Sequence, residues 1–115
     1  MGRSERQRAI YLEYALPKLK KIFKRNGLHG AIVGGVARRG HSFHDLDLYI
    51  DEVAKYMCNP TEGESVKLGK KISTLKDDIR KEFPQIGLLR QGYLFDIDLW
   101  GIFGEKLGST YVRIR

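Results

Sequence analysis

Apolar residues recur at helical spacing near the start of the chain. They are Leu12, Leu16, Leu19 and Phe23, and basic residues occupy most of the positions between them. This period predicts an amphipathic helix packed on a sheet. Ser4 and Gln7 have the spacing of a capping box, and Asn26-Gly27 is typical of a helix C-terminus. Pro17 removes one backbone donor, so we expect a kink there or a break at which Pro17 opens a second helix.

A second amphipathic pattern predicts the clearest helix of the chain. Its apolar residues lie at spacings of three or four: Leu68, Ile72, Leu75, Ile79 and Phe83. Pro84 follows immediately, and a proline disfavours helical geometry in the residue before it. We therefore expect this helix to end at Phe83.

Alternating or wholly apolar segments predict strands. The first two run from Gly30 to Val33 and from Leu46 to Ile50. Two more, Gln85 to Arg90 and Tyr93 to Trp100, are joined by Gln91-Gly92 and predict a hairpin.

Two regions have weaker patterns. Residues 51–65 predict a loop with a short helix around Val53 to Met57. Residues 111–115 alternate as a strand would, but a short helix over residues 105–115 is also compatible with the sequence.

Charge is concentrated at the N-terminus of a chain whose length fits one domain. Of the net charge of +7 over 115 residues, residues 1–27 contribute +6, from eight Lys or Arg and two Glu. Such clustering favours binding to nucleic acid or another polyanion, although a solvated helix face has the same composition. The candidate nucleic-acid-binding residues are Lys18, Lys21, Lys24 and Arg25.

Cysteine usage and hydropathy bear on location. Cys58 is the only cysteine, which excludes an intrachain disulfide and favours a reducing, intracellular setting. No apolar run approaches about 18 residues, and the N-terminus lacks the apolar core of a signal peptide. We expect no membrane association and a cytoplasmic location, or synthesis inside a host cell if the protein is viral.

Asp45 and Asp47 share one face of a predicted strand, because side chains alternate with a period of two. At about 5 Å and an effective dielectric constant of about 20, two carboxylates repel by roughly 3 kcal/mol. Such a pair is kept most readily where Mg²⁺ or Mn²⁺ lies between the oxygens. Asp96 and Asp98 likewise share one face of a later predicted strand. The alternative interpretation is a polar strand end beside a loop.

Glycine and arginine residues just before this pair suit an anion. Gly34 and Gly35 follow a strand, where a missing Cβ allows positive φ and close approach of backbone N–H groups. Arg38 and Arg39 offer planar guanidinium groups to phosphate oxygens. Backbone donors and guanidinium groups for phosphates therefore precede carboxylates for a metal.

Other reactive residues lack partners in the sequence. His41 and His44 flank the acidic pair and are expected to be exposed loop residues, with contact to phosphate or metal as the alternative. One cysteine with scattered histidines does not have zinc-ligand spacing. Tyr93 and Trp100 are candidates for stacking on a base, although core packing is the commoner role of aromatic residues on strands.

These residues resemble a known family. Gly34-Gly35, Arg38-Arg39-Gly40 and Asp45-Leu46-Asp47 look like the signature of the polymerase-beta-like nucleotidyltransferase superfamily: Gly-Gly or Gly-Ser, a basic stretch, then Asp-hydrophobic-Asp. Arg-Arg-Gly is closest to the DNA polymerase X family, whereas Gly-Gly-x-x-Arg is closer to CCA-adding and poly(A) polymerases. The family needs a third carboxylate from a neighbouring strand, and Ile97-Asp98-Leu99-Trp100 resembles the polymerase X stretch better than the alternative centred on Asp96.

The resemblance implies a fold and a set of roles. The fold is an α+β nucleotidyltransferase palm, with a mixed or antiparallel sheet of about four to five strands and two main helices packed on one face. Residues 1–115 form this single domain, and 1–27 are its basic helical segment. The catalytic residues and metal ligands are Asp45, Asp47 and Asp98, which hold two Mg²⁺ or Mn²⁺ ions. The nucleotide-binding residues are Gly34, Gly35, Arg38 and Arg39, and either arginine fits the phosphate.

The implied activity is transfer of a nucleoside monophosphate from a nucleoside triphosphate to a hydroxyl. The basic segment and Arg-Arg-Gly favour a nucleic-acid 3′-hydroxyl as acceptor. One alternative is transfer to a partner protein or a small molecule, as in toxin-antitoxin or antibiotic-modifying members of the superfamily. The other is a palm-like module that binds nucleic acid without turnover.

Overall fold

The computed structural model describes residues 9–87, 89–90, 93–94, 96–101 and 106–115. Within these ranges the helices are α1 (Leu12–Asn26), α2 (Gly34–Arg39), α3 (Asp51–Cys58) and α4 (Glu62–Glu82). The strands are β1 (Ile10–Tyr11), β2 (Gly30–Val33), β3 (His41–Ser42), β4 (Asp45–Ile50), β5 (Leu89–Arg90), β6 (Tyr93–Leu94), β7 (Asp96–Trp100) and β8 (Val112–Arg113).

The largest sheet has four strands in the order β7-β4-β2-β8. β2 is antiparallel to both β4 and β8, whereas β4 and β7 are parallel. A parallel pair needs a long crossover connection, and α3 and α4 lie in the chain between β4 and β7. The predicted α+β class with a mixed sheet is thus confirmed.

One face of this sheet carries the hydrophobic core. The strands contribute Ile32, Leu46, Leu48 and Ile97 to one buried cluster. The helices contribute Leu19, Phe23, Leu75 and Ile79, and Phe83 joins them just after α4. Because side chains alternate along a strand, Asp45 and Asp47 of β4 point to the opposite face. The two long helices therefore lie on one side of the sheet and the carboxylates on the other.

The first long helix differs from expectation at its start and at Pro17. Residues 1–8, which include the proposed Ser4–Gln7 capping box, lie outside the described residues. Ile10 and Tyr11 form β1, which pairs with β3, so the helix begins only at Leu12. Of the two outcomes expected at Pro17, a kink or a break, the break is wrong, because Pro17 lies inside one continuous helix. Pro17 is exposed, so water can satisfy the carbonyl that loses its helical partner.

The C-terminus of α1 follows the prediction. Gly27 has φ of 65°, and its N–H donates to the carbonyl oxygen of Lys24. This left-handed cap is the conformation for which glycine carries no Cβ penalty.

In the second half of the chain, the strand boundaries differ from those predicted from the sequence. The predicted strand from Gln85 to Arg90 is wrong over Gln85–Gly87, which form a turn, and only β5 remains. β5 pairs with β6 in an antiparallel arrangement, while the expected turn at Gln91-Gly92 lies outside the described residues. In the tail, where a strand or a short helix was expected, the structure has the strand β8. None of the helices in the described part of the chain is long and apolar enough to span a membrane.

Candidate metal centre

Asp45 and Asp47 are placed by the start of β4. The buried hydroxyl of Ser42 accepts hydrogen bonds from the backbone N–H groups of His44 and Asp45, at 3.3 and 3.2 Å. These bonds fix the turn that leads into the strand. Leu46 and Leu48 then anchor β4 in the core, and period-two alternation leaves both carboxylates half-buried on the other face.

Asp98 joins this pair through the parallel pairing of β4 and β7. The register sets Asp47 opposite Asp98 and Asp45 opposite Asp96. One carboxylate oxygen from each of Asp45, Asp47 and Asp98 lies within 4.8 Å of the others. We call these three residues the acidic triad.

Asp96 shares the face and the strand but is not a member of the triad, and its charge is the weakest of the effects that raise the pKa of Asp45. Oδ1 of Asp96 accepts a hydrogen bond from the backbone N–H of Ile97 at 2.7 Å, and its side chain is exposed. Asp96 is therefore turned toward its own backbone, and Asp98 is the acid of β7 that meets Asp45 and Asp47.

The triad leaves Asp47 in an unfavourable environment when no cation is present. Burial raises the pKa of Asp47 to about 6, and the charges of Asp98 and Asp45 act in the same direction. Its Oδ1 is buried and has no hydrogen-bond partner among the described residues. A buried acceptor without a donor is costly, and a metal ion would satisfy it.

Asp45 shows the same effect more weakly. Its pKa is raised first by partial burial and then by the charge of Asp98. The neighbouring His44 opposes this and lowers the pKa of Asp45. His44 is exposed, as expected, but His41 is partly buried and belongs to β3, so the expectation of an exposed loop residue is wrong there.

Gly34 lies against the triad and is required there for two reasons. Its φ of 65° is in the left-handed region, which L side chains rarely adopt. A Cβ at this position would also overlap Oδ2 of Asp47. The glycine that sequence analysis assigned to a phosphate therefore also makes room for a carboxylate.

The arginines of α2 lie close to the same turn. A Cβ on Gly35 would overlap Nη2 of Arg39, so this guanidinium lies over the backbone beside Gly34. Arg38 and Arg39 are both exposed, and neither forms an ion pair with a described residue. Of the two, Arg39 is the one with a contact to the glycine turn.

The four candidate nucleic-acid residues lie on α1, on the other side of the sheet from the triad. Lys18 is within 3.1 Å of Glu82, and Arg25 is within 3.4 Å of Asp78, both on α4. Lys21 and Lys24 are exposed and have no ion pair within the described ranges. About one helix diameter, roughly 10 Å, separates their side of α1 from the sheet.

Trp100 is a site residue that sequence analysis treated mainly as a core residue. It is 45% exposed, and a hydrogen bond between its side chain and Asp47 lowers the pKa of that carboxyl. Alternation along β7 sets Trp100 on the same face as Asp98. That alternation was the available signal, but the contact with Asp47 depends on the pairing register of β4 with β7.

Comparison with known proteins does not identify this centre. No protein-family model matches the sequence, and no curated protein or solved structure matches it. A functional proposal therefore has to rest on the chemistry of the triad. That donor set consists of carboxylate oxygens, which suit hard divalent cations.

Proposed function

We propose that the protein is a metal-dependent nucleotidyltransferase of the polymerase-beta-like kind. It transfers a nucleoside monophosphate from a nucleoside triphosphate to a hydroxyl acceptor. The observation that carries this proposal is the meeting of Asp45, Asp47 and Asp98 within 4.8 Å, next to a glycine turn with a guanidinium group beside it. Acids, backbone turn and arginine are the parts that a metal-bound triphosphate requires.

The triad would hold two Mg²⁺ or Mn²⁺ ions. The unpartnered Oδ1 of Asp47 and the raised pKa of this carboxyl favour a cation there. When bound, two such metal ions would stabilise charge on the attacking and leaving oxygens and lower the pKa of the acceptor hydroxyl.

Phosphate binding falls to the turn and to α2. Gly34 and Gly35 allow close approach to the phosphates, and we assign the β and γ phosphates to Arg39 ahead of Arg38. The contact of the Arg39 guanidinium with Gly35 supports this order. A planar guanidinium can donate two parallel hydrogen bonds to phosphate oxygens.

The reaction is an in-line displacement. The acceptor oxygen forms a bond to the α-phosphorus, the bond from that phosphorus to the bridging oxygen breaks, and pyrophosphate leaves. Asp98 is the exposed member of the triad, so we assign to its carboxylate the proton of the acceptor hydroxyl. The net charge of +7 favours a nucleic-acid 3′-hydroxyl as that acceptor.

The test is an incorporation assay with labelled nucleoside triphosphates and Mg²⁺ or Mn²⁺. Parallel reactions contain a primer-template, a single strand, an aminoglycoside, a protein extract or no acceptor. Label on the primer only with template indicates a templated polymerase, and label on any strand indicates a terminal transferase. Label on protein or on the small molecule keeps the chemistry and changes the acceptor.

Two variants test whether nucleotidyl transfer depends on the acidic triad. Asp47→Asn and Asp98→Asn should each lower turnover by at least about a hundredfold, because each removes a ligand charge. Asp96→Asn is the matched control, since Asp96 is on the same strand and outside the triad, and it should retain most activity. Equal activity in all three variants would contradict the proposal, as would binding of nucleic acid without turnover under every condition.

A further inference from the structure

Trp100 is a large aromatic side chain that the core does not use. It is 45% exposed and stands two residues after Asp98, on the face of the sheet that carries the triad. Its strand β7 is the last in the order β7-β4-β2-β8, so no further strand of this sheet flanks it within the described residues. Burial of such a ring would stabilise the fold, and an exposed position does not provide that stabilisation.

One edge of the ring is directed toward the triad. The indole N–H is the only donor of this side chain, and its interaction with Asp47 lowers the pKa of that carboxyl. The rest of the ring remains available, since the side chain is 45% exposed. A pre-oriented aromatic ring loses little conformational entropy when a flat partner stacks on it.

The charged residues of α1 cannot hold a base at the reaction centre. Lys21 and Lys24 lie on the far side of the helical layer from the triad, and Lys18 and Arg25 are paired with acids of α4. These residues can contact a phosphate backbone, but the end of a strand that reaches the triad needs a contact on the triad's own face. Trp100 supplies a hydrophobic surface there.

We propose that the exposed face of the Trp100 indole is the stacking platform for a nucleobase at the triad. This inference rests on the proposed function and adds a residue that orients the substrate. The chemistry it recognises is the π-face of a base, whether that base belongs to the triphosphate or to the 3′ end of the acceptor. Aromatic stacking of this kind tolerates any base, so Trp100 fixes position more than sequence.

The chain contains one tryptophan, so fluorescence excited at the red edge of the indole band, where tyrosine does not absorb, reports on this residue alone. With Mg²⁺ present, the protein is titrated with a nonhydrolysable nucleoside triphosphate and with inorganic tripolyphosphate, which has no base. It is also titrated with a single-stranded oligonucleotide and with the same strand ending in an abasic site. Quenching by the nucleotide but not by tripolyphosphate assigns the triphosphate base. Quenching by the intact strand but not by the abasic one assigns the acceptor base.

Variants of Trp100 then distinguish stacking on a base from interaction with the Asp47 carboxyl. Trp100→Ala should weaken binding of the labelled base-containing ligand by about fivefold or more, with Mn²⁺ affinity by calorimetry unchanged. Trp100→Phe should restore most of that binding, because phenylalanine keeps an aromatic face and lacks the N–H. Tyr14→Ala is the matched control, since Tyr14 is 57% exposed but lies on α1.

Three results would overturn the inference. If neither base-containing ligand quenches the fluorescence of a protein that binds Mn²⁺, stacking fails while the proposed function stands. If Trp100→Phe loses as much ligand and Mn²⁺ affinity as Trp100→Ala, the indole serves Asp47 and not a base. If the wild-type protein binds no Mn²⁺ at all, the proposed function fails and this inference fails with it. Circular dichroism of each variant shows whether the fold is retained.

Discussion

At the scale of single residues, Asp47 is where stability and metal binding are in conflict. The residue is half-buried, its pKa is raised to about 6, and one of its oxygens has no hydrogen-bond partner among the described residues. Because the ordinary pKa of aspartate is about 4, the folded protein binds the proton of Asp47 more tightly than the unfolded chain. The ionised carboxylate therefore destabilises the fold above about pH 6, and this penalty disappears as the pH falls toward about 4.

Asp47→Asn should make the metal-free protein more stable at pH 8, because asparagine carries no charge. We expect a gain of about 1 kcal/mol in the free energy of unfolding, after allowance for the exposure of this half-buried group. The gain should vanish near pH 4, and urea denaturation in the presence of a chelator at both pH values measures it. Asp96→Asn, outside the triad, should change stability less, and a loss of stability in Asp47→Asn at pH 8 would contradict the assignment.

Gly34→Ala should damage both the backbone and the metal centre. A non-glycine residue at φ of 65° costs about 1–2 kcal/mol, and the added Cβ would displace the Asp47 carboxylate. Gly40→Ala is a matched control, because Gly40 has φ of 83° with no atom within 4 Å of an added Cβ. Both variants should lose stability in thermal unfolding, but only Gly34→Ala should lose Mn²⁺ affinity. Equal Mn²⁺ affinity in the two variants would disprove this role of Gly34.

Period-two alternation predicted that Asp45 and Asp47 share one face of their strand, but the meeting with an acid of a neighbouring strand was expected only from the family resemblance. The same resemblance favoured Asp98 over Asp96. The structure adds a physical reason, because Oδ1 of Asp96 accepts a hydrogen bond from the backbone N–H of Ile97, whereas Asp98 meets Asp45 and Asp47. The contacts of Trp100 and Gly34 with Asp47 could not be predicted from the sequence. They join residues far apart in sequence and depend on side-chain packing.

At the scale of elements, α4 is packed along only part of its length. Leu75 and Ile79 are fully buried, whereas Val66 near the start is 62% exposed. The C-terminal half is therefore the half that stabilises the domain, since buried apolar area is the main source of stability.

Leu75→Ala should cost about 2–5 kcal/mol, the range for removing a fully buried leucine side chain. Val66→Ala, on the same helix, should change the free energy of unfolding by less than about 0.5 kcal/mol. Chemical denaturation of both variants gives the comparison directly. Similar losses in the two variants would mean that the first turns of α4 are covered in solution.

Long elements could be predicted from the sequence, whereas very short ones could not. The helix from Glu62 to Glu82 has enough turns for its apolar spacing to be recognised. β1 and β3 have two residues each, which is too few for alternation to be distinguished from chance. Of the two outcomes expected at Pro17, a break did not occur, because the residue is exposed and water can reach the carbonyl that loses its helical partner.

At the scale of the whole molecule, the basic helix and the triad face in opposite directions. The long helices cover the hydrophobic face of the sheet, and the acids occupy the other face. Binding of a polyanion to α1 and binding of a metal to the triad should therefore be separable.

Reversing the charge of Lys21 and Lys24 together, as Lys21→Glu with Lys24→Glu, should weaken nucleic-acid binding uniformly across sequences. If both contact phosphates, the slope of log K against log salt should become shallower by about 2. Fluorescence anisotropy over a salt series measures this slope, and Mn²⁺ affinity should stay unchanged. Lys67→Glu with Lys70→Glu on α4 is a control of equal charge, and an equal effect there would show that only net charge matters.

The link between α3 and α4 has one more consequence. Residues 59–61 are exposed and connect the half of the chain that carries Asp45 and Asp47 to the half that carries Asp98. Cleavage there would leave two fragments, each with an incomplete ligand set. Recovery of tight Mn²⁺ binding after the purified halves are mixed would then report their reassociation, so this small domain has the layout of a split sensor.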